Sequence, residues 1–261
     1  MPRYADRVSP RIAVHADPGY EAEADAAAAR LRLPRGGDAE VLLWCGERLE
    51  LRVMRSEDHD LVGGRPVAVD LSKLDTTSPA GRSRKGPLPR AAWPRRWSEP
   101  PRVLDATAGL GGDAWLLARL GCRVTAVERE PVVHALLEDG LWRVAESGDP
   151  DAAGAAARIA LVHADAAAFM RSRGVDAPPD VVLIDPMFPL GRRGVERKAM
   201  RVLRSLLTHE ANDADLLAAA LDTAGRRVIV KRPRHAPAIA GPPPSHRVAG
   251  KAIRFDVYEC G

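Results

Sequence analysis

The chain has 261 residues, 46% of them hydrophobic and 28% charged, with a formal net charge of +4 and an isoelectric point near 9.2. This length can bury a large core, and the composition is typical of globular rather than disordered proteins. No apolar run approaches the roughly 20 residues that span a bilayer. The first residues, MPRYADRVSP, lack the apolar centre of a signal peptide. We therefore expect a cytoplasmic protein without a membrane partner.

Residues that could bind metal or form disulfides are few and scattered. The three cysteines, Cys45, Cys122 and Cys260, show no C-x-x-C pairing. The seven histidines show no metal-ligand spacing either. Neither a zinc site nor a disulfide framework is indicated, and we expect no metal.

Residues 1–72 have the pattern of a small N-terminal α/β domain. RIAVHA is a short apolar strand, and the Ala-rich segment YEAEADAAAARLRL has the spacing of a helix. EVLLWCGERLELRV predicts two strands that turn at Gly46-Glu47, and RPVAVDL predicts a further short strand. We find no residues in this domain that indicate chemistry.

Residues 73–101 interrupt the pattern of regular elements. This stretch is rich in Pro, Gly and Arg, with Trp93 and Trp97 between the arginines. Such a composition cannot form one regular element. We interpret it as a linker.

Residues 102–261 alternate apolar strands with helices. The predicted strands are RVLD, CRVTAVE, IALVHAD, DVVLID and RRVIVKRP, and helical segments such as GDAWLLARLG and PVVHALLEDGLWRVAE separate them. Alternation of this kind predicts a parallel sheet with helices on both faces. HRVAGKAIRFDVYEC predicts two closing antiparallel strands. A mostly parallel, Rossmann-like sheet with an antiparallel C-terminal hairpin is the architecture of class I methyltransferases.

A glycine-rich turn joins the first strand of this domain to its helix, in the sequence DATAGLGGD. Glycine allows a tight turn and close approach of a ligand to the backbone at a helix N-terminus. Glu128 ends the next strand, where an acid can accept hydrogen bonds from ribose hydroxyls. The predicted cofactor-binding residues are Asp105, Gly109, Gly111, Gly112 and Glu128.

The turn leaves two cofactor classes open. Gly109, Gly111 and Ala114 also fit the G-x-G-x-x-A fingerprint of NAD-dependent oxidoreductases. Asp105 ends its strand directly ahead of the glycines, where methyltransferases place an acid near the methionine end of S-adenosylmethionine (SAM). That position favours a methyl donor, and NAD remains the alternative.

An acid, a proline and an aromatic residue follow the buried strand VVLI, as Asp185, Pro186 and Phe188. The carboxyl end of a strand is where open α/β sheets bind ligands. The order resembles the Asp/Asn-Pro-Pro-aromatic motif of enzymes that methylate exocyclic amines. A carboxylate that accepts an N–H can hold the poorly nucleophilic amine toward the methyl group, and Phe188 could stack on an extruded base. We predict these three residues to be catalytic.

Several short sequence motifs together resemble those of one protein family. They are DATAGLG, GCRV, ER followed by PVV, HA at 163–164, DPMFP, KAMRV, VKRP and RFDVY, in that order over residues 102–258. The segment is similar to the guanine-N2 methyltransferase J family of bacterial small-subunit (16S) ribosomal RNA. The resemblance implies SAM as the methyl donor and, as acceptor, a guanine of 16S rRNA within the small ribosomal subunit.

The resemblance also implies donor contacts at matching positions. These are Gly112-Asp113, Glu128-Arg129, Asp165-Ala166 and Asp185. The chain departs from the family twice, because Gly112 replaces an arginine and Asp165-Ala166 replaces two serines. Asp165 can still accept a hydrogen bond from the adenine amine, and Ala166 would act through its backbone.

Basic residues cluster in three places that we expect at the edge of the sheet where the parallel strands end. A phosphate backbone requires such a surface. The predicted RNA-binding residues are Arg84, Lys85 and Arg90 in the linker, Arg192, Arg193, Arg197 and Lys198 after the Asp-Pro-Met-Phe segment, and Lys231 and Arg232 after the fifth strand. A non-catalytic rRNA-binding assembly factor remains a further alternative.

Overall fold

The structure is a computed structural model that describes residues 11–56, 59–76, 78, 81, 83–172, 178–186, 202 and 212–261. The chain divides into two compact units. The first includes the described parts of Met1–Asp70 and Glu130–Arg143, and the second those of Leu71–Arg129, Val144–Phe188 and Ala211–Gly261. None of the helices in these ranges is long and apolar enough to cross a membrane.

The first unit contains a three-stranded sheet in the order β1-β2-β3, with β1 at Ile12–Ala16, β2 at Val41–Cys45 and β3 at Glu50–Val53. β1 and β2 are parallel, whereas β2 and β3 form the predicted antiparallel pair. Helix α1 (Glu21–Leu31) crosses from β1 to β2 and buries Ala24 and Ala28. Small side chains on this face let the helix lie close to the sheet.

The strand predicted at RPVAVDL does not form. Val67 makes an isolated bridge with Leu51, whose N–H and C=O both pair with it, at 2.8 and 2.9 Å. Pro66 directly before Val67 has no N–H to donate, which limits pairing on that side. A short 3-10 helix follows at Leu71–Lys73.

Helix α4 (Pro131–Ala145) contributes most of its length to the first unit, although we predicted it within the C-terminal domain. Its Gly140 lies against Val69, where an added Cβ would come within 2.2 Å of the Val69 Cγ1 atom. Arg143 donates a hydrogen bond to the carbonyl of Val69. The absence of a side chain at Gly140 therefore permits close helix packing that helical periodicity does not reveal.

The second unit contains a seven-stranded sheet in the order β6-β5-β4-β7-β8-β10-β9. Its strands are β4 (Arg102–Asp105), β5 (Arg123–Glu128), β6 (Ile159–His163), β7 (Val181–Ile184), β8 (Arg227–Pro233), β9 (His246–Ala249) and β10 (Ile253–Glu259). The first five in spatial order are parallel, and β10 is antiparallel to both β8 and β9. The predicted fold class is confirmed.

The described helices of this unit are α2 (Pro87–Ala92), α3 (Gly112–Arg119), α5 (Pro150–Ala156), α6 (Ala166–Arg171) and α7 (Asp213–Thr223). We did not predict α5, whose first turn is capped by the Asp149 side chain. The core on one face of the sheet includes Val182 and Val228 from the strands and Leu217 and Ala220 from α7. Val181–Ile184 of β7 and Val228–Val230 of β8 are apolar without interruption because both faces of the sheet are covered.

The stretch interpreted as a linker packs into the second unit. Trp93 and Trp97 are both buried, at 8% and 6% exposure. Arg84 stacks on Trp93 at 3.6 Å, and Arg227, at the start of β8, donates to the carbonyl of Ala91 at 2.6 Å. Ala91 and Trp97 therefore lie where the parallel strands begin, since both contact Arg227 at the start of β8.

Candidate active site

The turn after β4 adopts a conformation that requires glycine at two positions. Gly109 and Gly111 have φ angles of +54° and +77°, in the left-handed region that other residues disfavour. Gly111 caps the N-terminus of α3, and its N–H donates to the carbonyl of Ala108 at 2.8 Å. A side chain at Gly112 would meet no atom within 4 Å. The family's arginine could thus be accommodated there, and its replacement by glycine is not a steric requirement.

The glycine turn is tied to the end of β5. The Glu128 side chain accepts a hydrogen bond from the Gly109 N–H at 2.9 Å, and the Ala108 N–H donates to the Val127 carbonyl at 3.0 Å. Glu128 is only 9% exposed. The carboxylate that we predicted to bind a ribose therefore also fixes the turn that would lie beneath the donor.

Asp105 ends β4 beneath this turn and is 2% exposed. Its Oδ1 accepts a hydrogen bond from the Thr107 N–H at 3.1 Å. Burial, with the nearby charge of Asp113, raises the pKa of Asp105 to about 8, and the hydrogen bond from Thr107 offsets this only in part. Asp105 consequently holds a proton at neutral pH in the structure as described.

Asp185 follows β7 and is connected to the same turn. Its N–H donates to the Thr107 hydroxyl at 2.7 Å. Its Oδ2 lies 2.8 Å from the Lys231 ammonium, which also lies 2.7 Å from the Asp113 Oδ2. The acid of the amine motif and the acid at the start of α3 therefore share one lysine.

Burial and charge act in opposite directions on this cluster. Burial raises the pKa of Asp185, and Lys231 opposes that shift. For Lys231 burial lowers the pKa, but Asp113 and Asp185 outweigh it and hold the pKa above its ordinary value. The lysine is therefore charged throughout the physiological pH range.

The remaining predicted donor contacts lie at the neighbouring strand ends. Asp165 caps α6, and its Oδ1 accepts from the Ala168 N–H at 2.9 Å, while Ala166 is buried in the first turn. The Arg129 carbonyl lies 3.0 Å from His163 Nε2. The capping role of Asp165 gives it a structural function that the sequence did not reveal.

The predicted RNA-binding residues do not form one surface among the described residues. Arg84 lines a cavity of about 410 Å3 together with Arg119 and Arg158. Arg119 is the last residue of α3, and Arg158 directly precedes β6. That is the edge where the strands begin, so our expectation that Arg84 lies beside the catalytic segment is wrong. Arg232 is 3% exposed and donates to the Pro237 carbonyl at 2.6 and 3.0 Å, which makes it unsuitable as a phosphate ligand.

Two others, Lys85 and Arg90, are exposed. The predicted positions that lie outside the described residues are Phe188, Arg192, Arg193, Arg197 and Lys198.

Sequence reasoning missed the roles of Thr107 and Lys231 in this site. Thr107 stands inside the turn, and nothing in its sequence context indicates that its hydroxyl reaches Asp185. We predicted that Lys231 binds RNA. It directly follows the apolar residues Val228–Val230 of β8, in a chain with only five lysines. A lone lysine at the end of a buried strand, level with Asp185, was the available signal.

The chemistry of the site fits SAM better than NAD. SAM carries a sulfonium and an ammonium group, whereas NAD carries an anionic pyrophosphate. The strand ends bring Asp105, Asp113 and Asp185 near the ammonium of Lys231, and Glu128 ends the neighbouring strand β5. This excess of acids favours a cationic donor and disfavours a pyrophosphate. Within the described ranges, no group of three or more His, Cys, Asp or Glu residues is placed to hold a metal ion.

The strand order, the glycine turn and the acids at the strand ends define a class I methyltransferase. A family described as "Putative SAM-dependent methyltransferase" matches residues 26–260. The ribosomal RNA small subunit methyltransferase J of Thioalkalivibrio sulfidiphilus is 40% identical over 259 residues, covering 96% of this chain and 98% of the relative. The enzyme of the same name from Pseudomonas fluorescens is 42% identical, with 95% and 94% coverage.

A solved structure agrees with these relatives. The SAM-dependent methyltransferase of Neisseria gonorrhoeae matches with a TM-score of 0.65 and 31% identity, covering 95% of each chain. The chain belongs to this family of SAM-dependent methyltransferases. Its cofactor is SAM, and the alternative of an NAD-dependent oxidoreductase is overturned.

Proposed function

We propose that the protein transfers the methyl group of SAM to the exocyclic N2 amine of one guanine in small-subunit (16S) ribosomal RNA. The relatives named above support an rRNA substrate in the small subunit. The position of Asp185 carries the choice of an exocyclic amine, because the acid stands at the end of β7 and is anchored to the donor turn through Thr107. This substrate places the protein in the cytoplasm.

Asp185 supplies the orientation that the reaction needs. The lone pair of a guanine N2 is delocalised into the ring, so the amine is a weak nucleophile until its geometry is fixed. A carboxylate oxygen of Asp185 accepts one N–H, which directs the lone pair toward the methyl carbon. When bound, SAM supplies an electrophilic methyl group with a neutral thioether as leaving group. Asp185 or solvent would take the proton that the nitrogen releases when it accepts the methyl group.

The acids at the other strand ends would hold the donor. Glu128 would accept hydrogen bonds from the ribose hydroxyls while it braces the Gly109 N–H. Asp105 would face the cationic methionine end, and a nearby ammonium would favour loss of its proton. Gly111 lets the backbone approach the donor at the start of α3.

Contacts to RNA follow partly from the sequence alone. Phe188 would stack on the extruded guanine, and the arginines that follow it would hold neighbouring phosphates. Lys85 and Arg90 are exposed and would bind flanking phosphates.

Transfer of tritium from labelled SAM to purified small ribosomal subunits that lack the modification tests the proposal. The expected product is N2-methylguanosine, with subunits preferred over naked rRNA because the assembled particle fixes the target loop in one geometry. Label in adenine, cytosine or protein would contradict the guanine assignment. Binding of SAM and subunits without any transfer would favour the assembly-factor alternative.

A further inference from the structure

Lys231 reaches the active site because of the register between β7 and β8. Ile184 pairs with Val230, so the next residues along both strands, Asp185 and Lys231, lie at the same level. On its other side Lys231 pairs with Phe255 of β10. Its side chain is 23% exposed. The ammonium is thus held at the site by a residue that is paired in the sheet on both sides.

The ammonium connects two elements that bear on different reactants. It lies 2.7 Å from Asp113 Oδ2, in the first turn of the helix that follows the donor turn. It lies 2.8 Å from Asp185 Oδ2, the acid proposed to bind the substrate amine. One carboxylate oxygen of Asp185 is therefore held by Lys231, and the Oδ1 atom is the one suited to accept an amine N–H.

We propose that Lys231 is a positioning residue of methyl transfer, which holds Asp185 as an oriented carboxylate so that Oδ1 can accept the substrate amine. This inference rests on the proposed function, in which Asp185 binds the amine. It replaces the phosphate-binding role predicted from the sequence, since the ammonium is already engaged by two carboxylates.

The surrounding charges explain why Asp185 needs such a partner. Among the described residues, the ionisable groups acting on it are Asp113 from α3, Asp105 from β4 and Lys231 from β8. Burial and the charge of Asp113 favour the protonated form of Asp185, and Lys231 favours the ionised form. A protonated Asp185 would offer its hydroxyl as a donor and could not accept the amine N–H as strongly.

Lys231→Met tests this role because methionine keeps an unbranched side chain as far as Cε and removes the ammonium. The measurement is the pH dependence of kcat/KM between pH 5 and 9, which reports groups of the free enzyme. Loss of an adjacent opposite charge should move the acid-side midpoint upward by about 1–3 pH units. Activity lost at neutral pH should return in part at high pH, and Lys231→Arg should stay near the wild-type midpoint. Lys251→Met, at an exposed lysine, is the matched control and should leave the profile unchanged.

Asp113→Asn provides a test in the opposite direction and does not remove the lysine. The substitution removes a negative charge near Asp185, and Lys231 then pairs with Asp185 only. The acid-side midpoint of the kcat/KM profile should therefore move to lower pH. A Lys231→Met profile that is lower at every pH with an unchanged midpoint would overturn the proposal. An upward shift in Asp113→Asn would overturn it as well.

A carbon-13 NMR titration of the Asp185 carboxyl separates this inference from the proposed function, because it needs no substrate. The carboxyl should titrate at higher pH in Lys231→Met than in the wild type. If the wild type methylates no rRNA while this shift is present, the proposed substrate is wrong and the role of Lys231 stands. An unchanged Asp185 titration in Lys231→Met would refute the role of Lys231 whatever the substrate.

Discussion

Asp105→Asn should make the protein more stable at neutral pH, because the wild-type carboxyl is buried without a cation to compensate it fully. The carboxyl is 2% exposed, and its pKa is about 8 against an ordinary value of 3.8. Between these two values the folded state holds a proton that the unfolded state has released. Stability contributed by the wild-type residue therefore falls as the pH rises through this window.

The size of the effect follows from the difference in pKa. Each unit of difference corresponds to about 1.4 kcal/mol. Between pH 5 and 7 the wild type should lose about 2.7 kcal/mol relative to a variant that cannot ionise at this position. Asparagine keeps an oxygen that can accept from the Thr107 N–H. The difference in stability between the wild type and Asp105→Asn therefore reports the ionisation of Asp105 and not the loss of a hydrogen bond.

Urea unfolding of both proteins at pH 5, 6, 7 and 8 measures this difference, provided that the m-values agree. The free energy of unfolding of Asp105→Asn minus that of the wild type should grow steadily up to pH 8. Asp222→Asn, at an exposed acid on α7, is the control and should show no such growth. A constant difference across the series would refute the assignment of a proton to Asp105.

The other predictions concern the reaction itself. Asp185→Asn should lower kcat by at least about 100-fold, a typical loss for a group that stabilises charge or geometry at the reacting atoms, with a moderate change in SAM affinity by calorimetry. Glu128→Gln should weaken SAM binding by about 1.5–3 kcal/mol, since the ribose loses a charged acceptor; unchanged affinity would exclude that contact. Joint replacement of Arg192, Arg193 and Arg197 by Ala should raise the KM for subunits and reduce its salt dependence while SAM affinity stays constant. If SAM affinity fell equally, those arginines would belong to the donor site instead.

The sheet of the second unit could be predicted from the sequence because each parallel strand is recognisable from its own apolar residues. VIV at 228–230 and VVLI at 181–184 are apolar on both faces of the strand, a pattern that can be read from the residues themselves. Asp105, Glu128 and Asp185 could be assigned for the same reason, because each follows directly from the end of such a strand. The identity of the turn followed from glycines at positions that need positive φ angles.

The interactions that escaped prediction depend on residues distant in sequence. Trp97 stacks with Arg226 at 3.6 Å, and no local pattern of the Pro-rich segment indicates that partner. Lys231 and Asp185 are 46 residues apart, and their contact depends on the register of β7 and β8. Gly140 lies against Val69 through tertiary packing, which helical periodicity alone cannot locate.

Nucleoside mass spectrometry of small-subunit rRNA from a strain that lacks this protein tests the central claim most directly. The account predicts loss of one N2-methylguanosine, its return with the wild-type protein, and no return with Asp185→Asn expressed at the same level. An unchanged N2-methylguanosine content in the deletion strain, or its full restoration by Asp185→Asn, would contradict the account.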